Sequence, residues 1–191
     1  METVLEMRGI SKTFPGVRAL DGVNLTLRAG EVHGLMGENG AGKSTLMKIL
    51  LGIYAADAGS VSLFGKPITF RGPREAIAGG ICMIHQELNL IPEMTIAENI
   101  FLGREPLKNG FVDYRRMNRD TRELLETLNL TMDPSMKLGR LTVAGQQMVE
   151  IAKAVSYHSR VLIMDEPTSA ISEEEVRRLF EIIRSLKAQG V

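Results

Sequence analysis

The chain has 191 residues, 44% of them hydrophobic, and its 23 Lys and Arg residues balance 23 Asp and Glu residues. This length supports one main domain with a sizeable core. The charge balance excludes an overall basic field that would attract nucleic acid or anionic lipid, so such a partner would have to bind at a local patch of charge. The single cysteine, Cys82, excludes an internal disulfide framework and fits a reducing, cytoplasmic compartment.

The first part of the chain is predicted to be mainly β-structure. Residues 2–27 have the pattern of short strands, interrupted at Pro15-Gly16 and at Asp21-Gly22, which is typical of an antiparallel flap. Residues 31–36 are predicted to form a strand that enters a glycine-rich turn. Residues 43–51 then have the apolar spacing of a helix, so the three segments together predict a strand, loop and helix unit.

The rest of the chain is predicted to combine buried strands with helices. Residues 81–84 and residues 161–164 are short apolar runs of the kind found in buried parallel strands. Between them, residues 87–159 are predicted to form an inserted helical subdomain, because charged residues alternate with Leu and Met at helical spacings. A final helix is predicted to begin at Ser172. Its apolar face consists of Val176, Leu179, Phe180, Ile183 and Leu186.

A phosphate-binding loop is predicted between the strand at 31–36 and the helix that follows it. Its residues are Gly37, Glu38, Asn39, Gly40, Ala41, Gly42, Lys43, Ser44 and Thr45. Small residues let backbone N–H groups turn inward around phosphate oxygens, and the helix N-terminus adds its positive dipole. Lys43 adds a full charge, Ser44 offers a hydroxyl to Mg²⁺, and Thr45 can donate to an inner phosphate oxygen. The alternative is an ordinary glycine-rich turn before a helix.

Two carboxylates follow the apolar run at 161–164. Ligands bind at the carboxyl ends of strands in an open α/β sheet, and Asp165 and Glu166 emerge at that end. Asp165 is suited to hold Mg²⁺ through its water shell, and Glu166 is suited to polarise a water for attack on the γ-phosphate. Taken alone, two acids at a strand end would indicate a solvated turn or a helix cap. The phosphate loop upstream favours the metal and base interpretation.

Taken in order, these features resemble the ATP-binding cassette family. The phosphate loop, Gln86, the helical insertion, the segment LTVAGQQMVEIAKA and the segment MDEPTSA follow one another as they do in that family. SKTFPGVRALDGV and MGENGAGKSTLMKIL are most similar to the first cassette of the double-cassette ATPases of bacterial monosaccharide importers, of the galactose and ribose type. The resemblance implies an α/β fold with a P-loop NTPase core sheet and an antiparallel β flap (1–86 and 160–191), and an inserted helical subdomain (87–159).

The resemblance also gives roles to Phe14 and Gln86. The resemblance implies that the ring of Phe14 stacks on adenine, which a flat apolar side chain can do. The alternative is that Phe14 is an ordinary phenylalanine packed in the core or the flap. Gln86 corresponds to the family's Q-loop, where an amide contacts Mg²⁺ or the attacking water and relays movement. A surface loop residue is the alternative for Gln86.

The segment Leu141-Thr142-Val143-Ala144-Gly145 occupies the place of the family signature, usually written LSGGQ, and departs from it at four of five positions. Thr142 keeps a hydroxyl at the start of a helix, so that the helix dipole and one donor could face the γ-phosphate of a nucleotide on a partner cassette. Ala144 and Gly145 replace the second glycine and the glutamine, which changes the donor geometry. The sugar-importer cassettes that the chain resembles tolerate variation at this spot, so the resemblance implies a working but weakened element. The alternative is a plain helix start.

In the family a switch histidine follows one more core strand beyond the Glu166 strand and its helix. This chain ends at Val191 before such a strand, so we expect a cassette that is truncated at its C-terminus. Because positioning of the γ-phosphate supplies much of the rate in phosphoryl transfer, we expect such a chain to bind Mg-ATP with little turnover.

The resemblance implies ATP and Mg²⁺ as ligands, and a second cassette and membrane permease subunits as partners. It implies only indirect action of a solute-binding protein and no nucleic acid partner. The resemblance also implies a peripheral location at the cytoplasmic face of the bacterial inner membrane. No segment of the sequence is long and apolar enough to span a bilayer, so other chains would have to cross the membrane. We therefore expect an ATPase that powers a monosaccharide importer. The alternatives are an importer of another small solute and the ATPase of a non-transport machine; a P-loop GTPase is disfavoured because the sequence has no N-K-x-D element.

Overall fold

The computed structural model describes residues 2–84, 89–165 and 173–191 of the chain. These residues form two compact units. The first comprises Met1–Cys82, Ser159–Val161 and Arg184–Val191, and the second comprises Met83–His158 and Leu162–Ile183. Strands and helices both contribute, as the α/β prediction requires. Among the described residues, no helix combines the length and the apolarity that crossing a membrane demands.

An antiparallel sheet dominates the first unit. Its strands are β1 (Thr3–Phe14), β2 (Val17–Arg28), β3 (Ala58–Leu63) and β4 (Lys66–Pro67), in the spatial order β2-β1-β3-β4. Alternate side chains of a strand point to one face, and the register shifts in β1 between Thr3 and Leu5 and between Met7 and Ile10 change which residues face the core. The buried apolar residues of the sheet are Val4, Leu5, Met7, Ile10, Leu20, Leu25 and Leu63. The antiparallel flap predicted from the sequence is therefore confirmed.

The predicted interruption at Asp21-Gly22 is wrong, because β2 runs through it. The pairing of β1 with β2 shifts register on both sides of Ile10, which identifies a bulge rather than a strand end. At this bulge the Gly22 N–H donates to the Ser11 hydroxyl at 2.9 Å, and the Gly9 N–H donates to Asn24 Oδ1 at 2.8 Å. Side chains thus replace the missing ladder bonds, and the strand continues.

The predicted strand at residues 31–36 is also not formed. Glu31 ends β2 with a turn, in which its N–H donates to the Arg28 carbonyl and its carboxylate accepts the Arg28 N–H. The hydrogen bond from the Arg28 N–H is the main cause that holds the pKa of Glu31 below its ordinary value, and the hydrogen bond with the His33 side chain is the second cause. Residues 32–36 form no backbone hydrogen bond to another described residue, and Met36 is 93% exposed. A strand exists only where its backbone has a ladder partner, and no described strand supplies one here.

The helix after the glycine-rich loop and the two apolar runs form as the sequence predicts. Helix α1 (Lys43–Leu50) follows the glycine-rich loop and buries Leu46, Ile49 and Leu50. Helix α2 (Pro73–Ala78) leads into β5 (Ile81–Ile84), which pairs with β8 (Val161–Met164) in a two-stranded sheet. Both apolar runs predicted as strands are therefore strands.

The second unit is mainly helical. It contains α3 (Ile96–Phe101), α4 (Tyr114–Thr127), α5 (Val143–Val155) and a 3-10 turn at Leu138–Arg140. A small hairpin of β6 (Leu107–Lys108) and β7 (Phe111–Val112) separates α3 from α4. The buried hydrophobic residues of these helices include Ile96, Ile100, Met117, Leu125, Met148, Val149 and Ile151.

Two polar devices fix α3. Thr95 and Glu98 form a capping box at its start, which satisfies the first N–H groups of the helix. After its end, the Arg104 guanidinium donates to the Ile100 carbonyl at 2.7 Å and to the Ser156 carbonyl at 3.1 Å. The same guanidinium lies 4.0 Å from the centroid of the Tyr157 ring. Arg104 therefore ties α3 to the C-terminal end of α5.

The last helix, α6 (Glu173–Ala188), differs from the prediction in which face it buries. Its buried apolar residues are Leu179, Ile182 and Leu186, whereas Phe180 is exposed. Positions separated by three and four residues share one helix face, and 179, 182 and 186 keep that spacing. Phe180 directly follows Leu179, and because successive residues of a helix lie on different sides, its side chain lies outside this buried stripe. The predicted cap residue Ser172 lies outside the described residues.

Candidate functional site

The glycine-rich loop leads into α1, and the first N–H groups of this helix have no acceptor among the described residues. Gly42 precedes the helix in a left-handed conformation and provides no side-chain cap. The first intrahelical donor is Leu46, whose N–H reaches the Gly42 carbonyl at 2.9 Å. Within the described part of the chain, the N–H groups of Lys43, Ser44 and Thr45 have no acceptor. Three donors at a helix N-terminus, with no capping oxygen, form a site suited to an anion.

Two glycines with positive φ shape this loop. Gly40 and Gly42 both have φ near +86°. The Ala41 N–H donates to the Glu38 carbonyl at 3.1 Å and closes a turn over residues 38–41. At Gly42 the backbone also passes very close to β2. A Cβ atom there would lie 2.5 Å from the Ala19 carbonyl oxygen and 2.8 Å from Leu20 Cδ2. Conformation thus favours glycine at position 40, and conformation and close approach together require it at position 42.

Lys43 places its charge over the same loop. Its Nζ donates to the Gly37 carbonyl at 2.7 Å and to the Glu38 carbonyl at 3.0 Å. Ser44 is exposed and Thr45 is half-buried. The nine loop residues predicted from the sequence therefore combine backbone donors, one ammonium group and two hydroxyls on one short segment.

Phe14 lies at the end of β1, in the same unit as the loop. Its half-buried ring packs edge-on against Tyr54, with centroids 5.3 Å apart and an interplanar angle of 71°. Lys12 Nζ lies 5.7 Å from the centroid of the Phe14 ring. The sequence patterns give no indication of Tyr54, because it occupies an irregular segment after α1. Packing and ligand stacking are both compatible with a ring held in this way.

Asp57 anchors the strand end that carries Phe14. Its carboxylate accepts from Lys12 Nζ at 2.7 Å and from the Thr13 N–H at 2.7 Å. Both contacts hold the pKa of Asp57 below its ordinary value of 3.8, and the hydrogen bond from Lys12 has the larger effect. A lowered carboxyl pKa means that the contacts stabilise the folded chain above this value and are lost as the pH falls through the lowered pKa. Asp57 has no motif and is found only through the structure.

The other predicted site residues that the structure describes lie in the second unit. Thr142 is the N-cap of α5, and its hydroxyl accepts the Gly145 N–H at 3.1 Å. Asp165 directly follows β8, is half-buried, and donates its N–H to the Ile84 carbonyl at 3.1 Å. Gln86 and Glu166 lie outside the described residues.

The sequence matches one protein family over most of its length. The profile of the ABC transporter family matches residues 20–169. A putative ribose/galactose/methyl galactoside import ATP-binding protein of Halalkalibacterium halodurans is 58% identical over 98% of this chain, which corresponds to 36% of that protein. The galactose/methyl galactoside import ATP-binding protein MglA 1 of Photobacterium profundum is 57% identical over 100% of the chain and 39% of its own length. The chain thus spans less than two fifths of these curated relatives.

Solved structures give the same relationship in three dimensions. The ADP conformation of MJ1267, an ATP-binding cassette of an ABC transporter, superimposes with a TM-score of 0.86 at 30% sequence identity, covering 100% of this chain and 79% of that one. A nucleotide-free ATP-binding cassette from an ABC transporter gives a TM-score of 0.85 at 29% identity, covering 99% of this chain and 79% of that one.

Proposed function

Because the chain belongs to the ABC transporter family, we propose that it binds and hydrolyses Mg-ATP to power a bacterial importer of monosaccharides. The observation that carries this proposal is the set of uncapped N–H groups of Lys43, Ser44 and Thr45 beside the Lys43 ammonium. Oriented amides and a fixed cation are the groups that hold polyphosphates in P-loop proteins. The relatives named for galactose and ribose import support the sugar as the cargo.

In this proposal the loop residues 37–45 hold the phosphates of ATP. The backbone amides that begin α1 donate to the phosphate oxygens, and Thr45 adds its hydroxyl. Lys43 exchanges its present acceptors, the Gly37 and Glu38 carbonyls, for the outer phosphates. Gly42 supports this role, because it has no side chain to cap α1, and the amides that follow it have no acceptor among the residues that the structure describes.

Phe14 would hold the adenine ring in the same unit. The contacts of Tyr54 with the Phe14 ring and of Asp57 with the end of β1 pre-orient that ring. A pre-oriented side chain loses little rotamer freedom when the ligand binds, which favours affinity.

Ser44, Gln86 and Asp165 are the proposed ligands of Mg²⁺. The exposed hydroxyl of Ser44 and the carboxylate of Asp165 at the end of β8 are hard oxygen donors of the kind that this ion prefers. When bound, Mg²⁺ neutralises charge that develops on the outer phosphates. Glu166 is the proposed base that orients and polarises the attacking water, and Gln86 assists in placing that water.

Thr142 is proposed to face the nucleotide of a second cassette. Its hydroxyl oxygen accepts the Gly145 N–H, and a hydroxyl that accepts one hydrogen bond can still donate its own hydrogen. The N-terminal dipole of α5 acts in the same direction. Helix capping and nucleotide contact are therefore compatible roles for this residue.

The remaining partners are membrane permease subunits at the cytoplasmic face of the bacterial inner membrane. Residues 87–159 are the proposed helical subdomain that passes motion to them, and residues 1–86 and 160–191 are the proposed core and flap. A solute-binding protein would act only through the permease. No contact with nucleic acid is part of this proposal.

The test combines hydrolysis with transport. The 191-residue chain is expected to bind Mg-ATP. A protein that contains this chain and has the full length of its relatives, reconstituted with permease subunits in vesicles, is expected to release phosphate from ATP and to take up galactose or ribose in an ATP-dependent manner. Removal of Mg²⁺ with EDTA should stop both processes, and added Mg²⁺ should restore them. Hydrolysis without association with any permease would contradict the transport role, whereas absence of ATP binding would contradict the ATPase role.

Substitution of Phe14 by alanine is expected to weaken ATP binding by roughly 1 to 2 kcal/mol, because it removes a stacking contact and buried area. Discrimination among nucleotide bases should change little, since every base has a face on which a ring can stack. Equilibrium titration with ATP, GTP and CTP measures both effects. Tyr54→Ala, which removes the ring that pre-orients Phe14, should weaken ATP binding by a smaller amount. Equal ATP affinities of wild type and Phe14→Ala would return Phe14 to a purely structural role.

A further inference from the structure

The hairpin between α3 and α4 presents a short tip with an unusual surface. Its strands β6 and β7 pair Leu107 with Val112 and Lys108 with Phe111. Asn109 and Gly110 form the turn, with φ of 53° and 85°. Two successive positive φ values define the tight hairpin turn that Asn-Gly favours, so the tip has a fixed shape.

Large apolar side chains are exposed on both faces of this tip. Residues paired directly across an antiparallel ladder share a face, and successive residues alternate. Leu107 therefore lies on one face, 63% exposed, and Phe111 lies on the other, 80% exposed. Tyr114, at the start of α4, is 56% exposed. A flat protein partner would cover one face of the hairpin, whereas a medium that surrounds the tip would cover both.

The charges next to the tip are arranged asymmetrically. Lys108 and Arg115 are exposed, and neither has an ion-pair partner among the residues that the structure describes. The nearby carboxylates are turned to the backbone instead. Glu105 accepts the Gly103 N–H at 2.9 Å, and Asp113 caps α4 by accepting the Arg116 N–H at 3.0 Å. The cations are thus available to an external anionic surface, while the acids are engaged within the chain.

We propose that the β6–β7 hairpin is a lipid anchor, which inserts Leu107 and Phe111 into the interfacial region of an anionic bilayer while Lys108 and Arg115 meet the phosphate headgroups. Aromatic and aliphatic side chains with flanking cations are the combination that interfacial segments use. The apolar area is small, so binding is weak and requires both the apolar residues and the cations. The anchor goes beyond the proposed ATPase function, and its test is independent of nucleotide binding.

The chain contains no tryptophan, which makes Phe111→Trp a unique fluorescent reporter at the tip. With lipid-only vesicles of phosphatidylglycerol and phosphatidylcholine, the full chain carrying this substitution should show a blue-shifted emission and quenching by brominated lipids. Vesicles of phosphatidylcholine alone should bind roughly 10-fold more weakly, because two cations lose their anionic partners. Lys108→Gln combined with Arg115→Gln should remove that difference between the two lipid compositions.

Flotation of the unlabelled chain provides the second measurement. Leu107→Ser combined with Phe111→Ser should reduce vesicle binding by about 10-fold or more. The control is Val17→Ser. Val17 is an apolar residue, 58% exposed, at the start of β2 beside the turn between β1 and β2, and its substitution should leave vesicle binding unchanged. ATP titration of each variant shows that the loop site is intact. Unchanged emission with lipid-only vesicles would overturn the proposal, and a shift that appears only when permease subunits are present would assign the tip to a protein partner instead.

Discussion

Substitution of Lys43 by alanine is expected to abolish measurable ATP binding while leaving thermal stability nearly unchanged. Lys43 is the only full positive charge within residues 37–45, and hydrogen bonds to charged groups contribute about 1.5 to 3 kcal/mol each. Two such bonds to the outer phosphates correspond to a loss of about 100-fold or more in affinity. In the free chain Lys43 donates only to two exposed carbonyls, which water can satisfy after the substitution.

Equilibrium titration with Mg-ATP measures this effect, and a thermal melt reports the fold. Lys66→Ala is the matched control, because it removes one exposed lysine from β4 in the same unit and changes the net charge equally. An unchanged affinity of the Lys43 variant would refute the phosphate-loop assignment. Equal losses in both variants would indicate a long-range charge effect rather than a site.

Local patterns in the sequence predict a large part of this fold. Helix α1, the paired strands β5 and β8, and the antiparallel flap follow from periodicity and turn residues, which depend on near neighbours in the chain. The wrong predictions concern segments whose secondary structure depends on a partner that is distant in the sequence. Asp21-Gly22 continues as strand because Ser11 accepts the Gly22 N–H across the ladder. Residues 31–36 have the composition of a strand, yet no described strand pairs with them.

The candidate site divides in the same way. The motif in residues 37–45 predicts the loop and its helix, because both depend on a contiguous pattern. Tyr54 and Asp57, which hold Phe14 and its strand end, carry no pattern and are found only in three dimensions. The same applies to the reason for Gly42, since the proximity of the Ala19 carbonyl is set by the packing of α1 against β2.

Substitution of Gly42 by alanine is expected to destabilise the chain by about 2 to 4 kcal/mol and to reduce ATP affinity about as strongly as the loss of Lys43. One part of the effect is conformational, because φ is +86° and a residue with a Cβ atom is strained there. The other part is steric, because that atom would lie 2.5 Å from the Ala19 carbonyl oxygen, which belongs to the backbone of β2. Relief of this contact requires α1 to move, and its movement displaces the N–H groups that the phosphates would use.

Gly40→Ala separates the two parts. Gly40 has the same φ of +86°, but a Cβ atom there meets no other atom within 4 Å. It should therefore show the conformational strain alone, about 1 to 2 kcal/mol, with a correspondingly smaller loss of ATP affinity. Thermal unfolding and ATP titration of the two variants side by side measure both differences. Equal destabilisation in the two variants would mean that β2 yields to the extra methyl group, and the close approach at Ala19 would then have no part in positioning the loop.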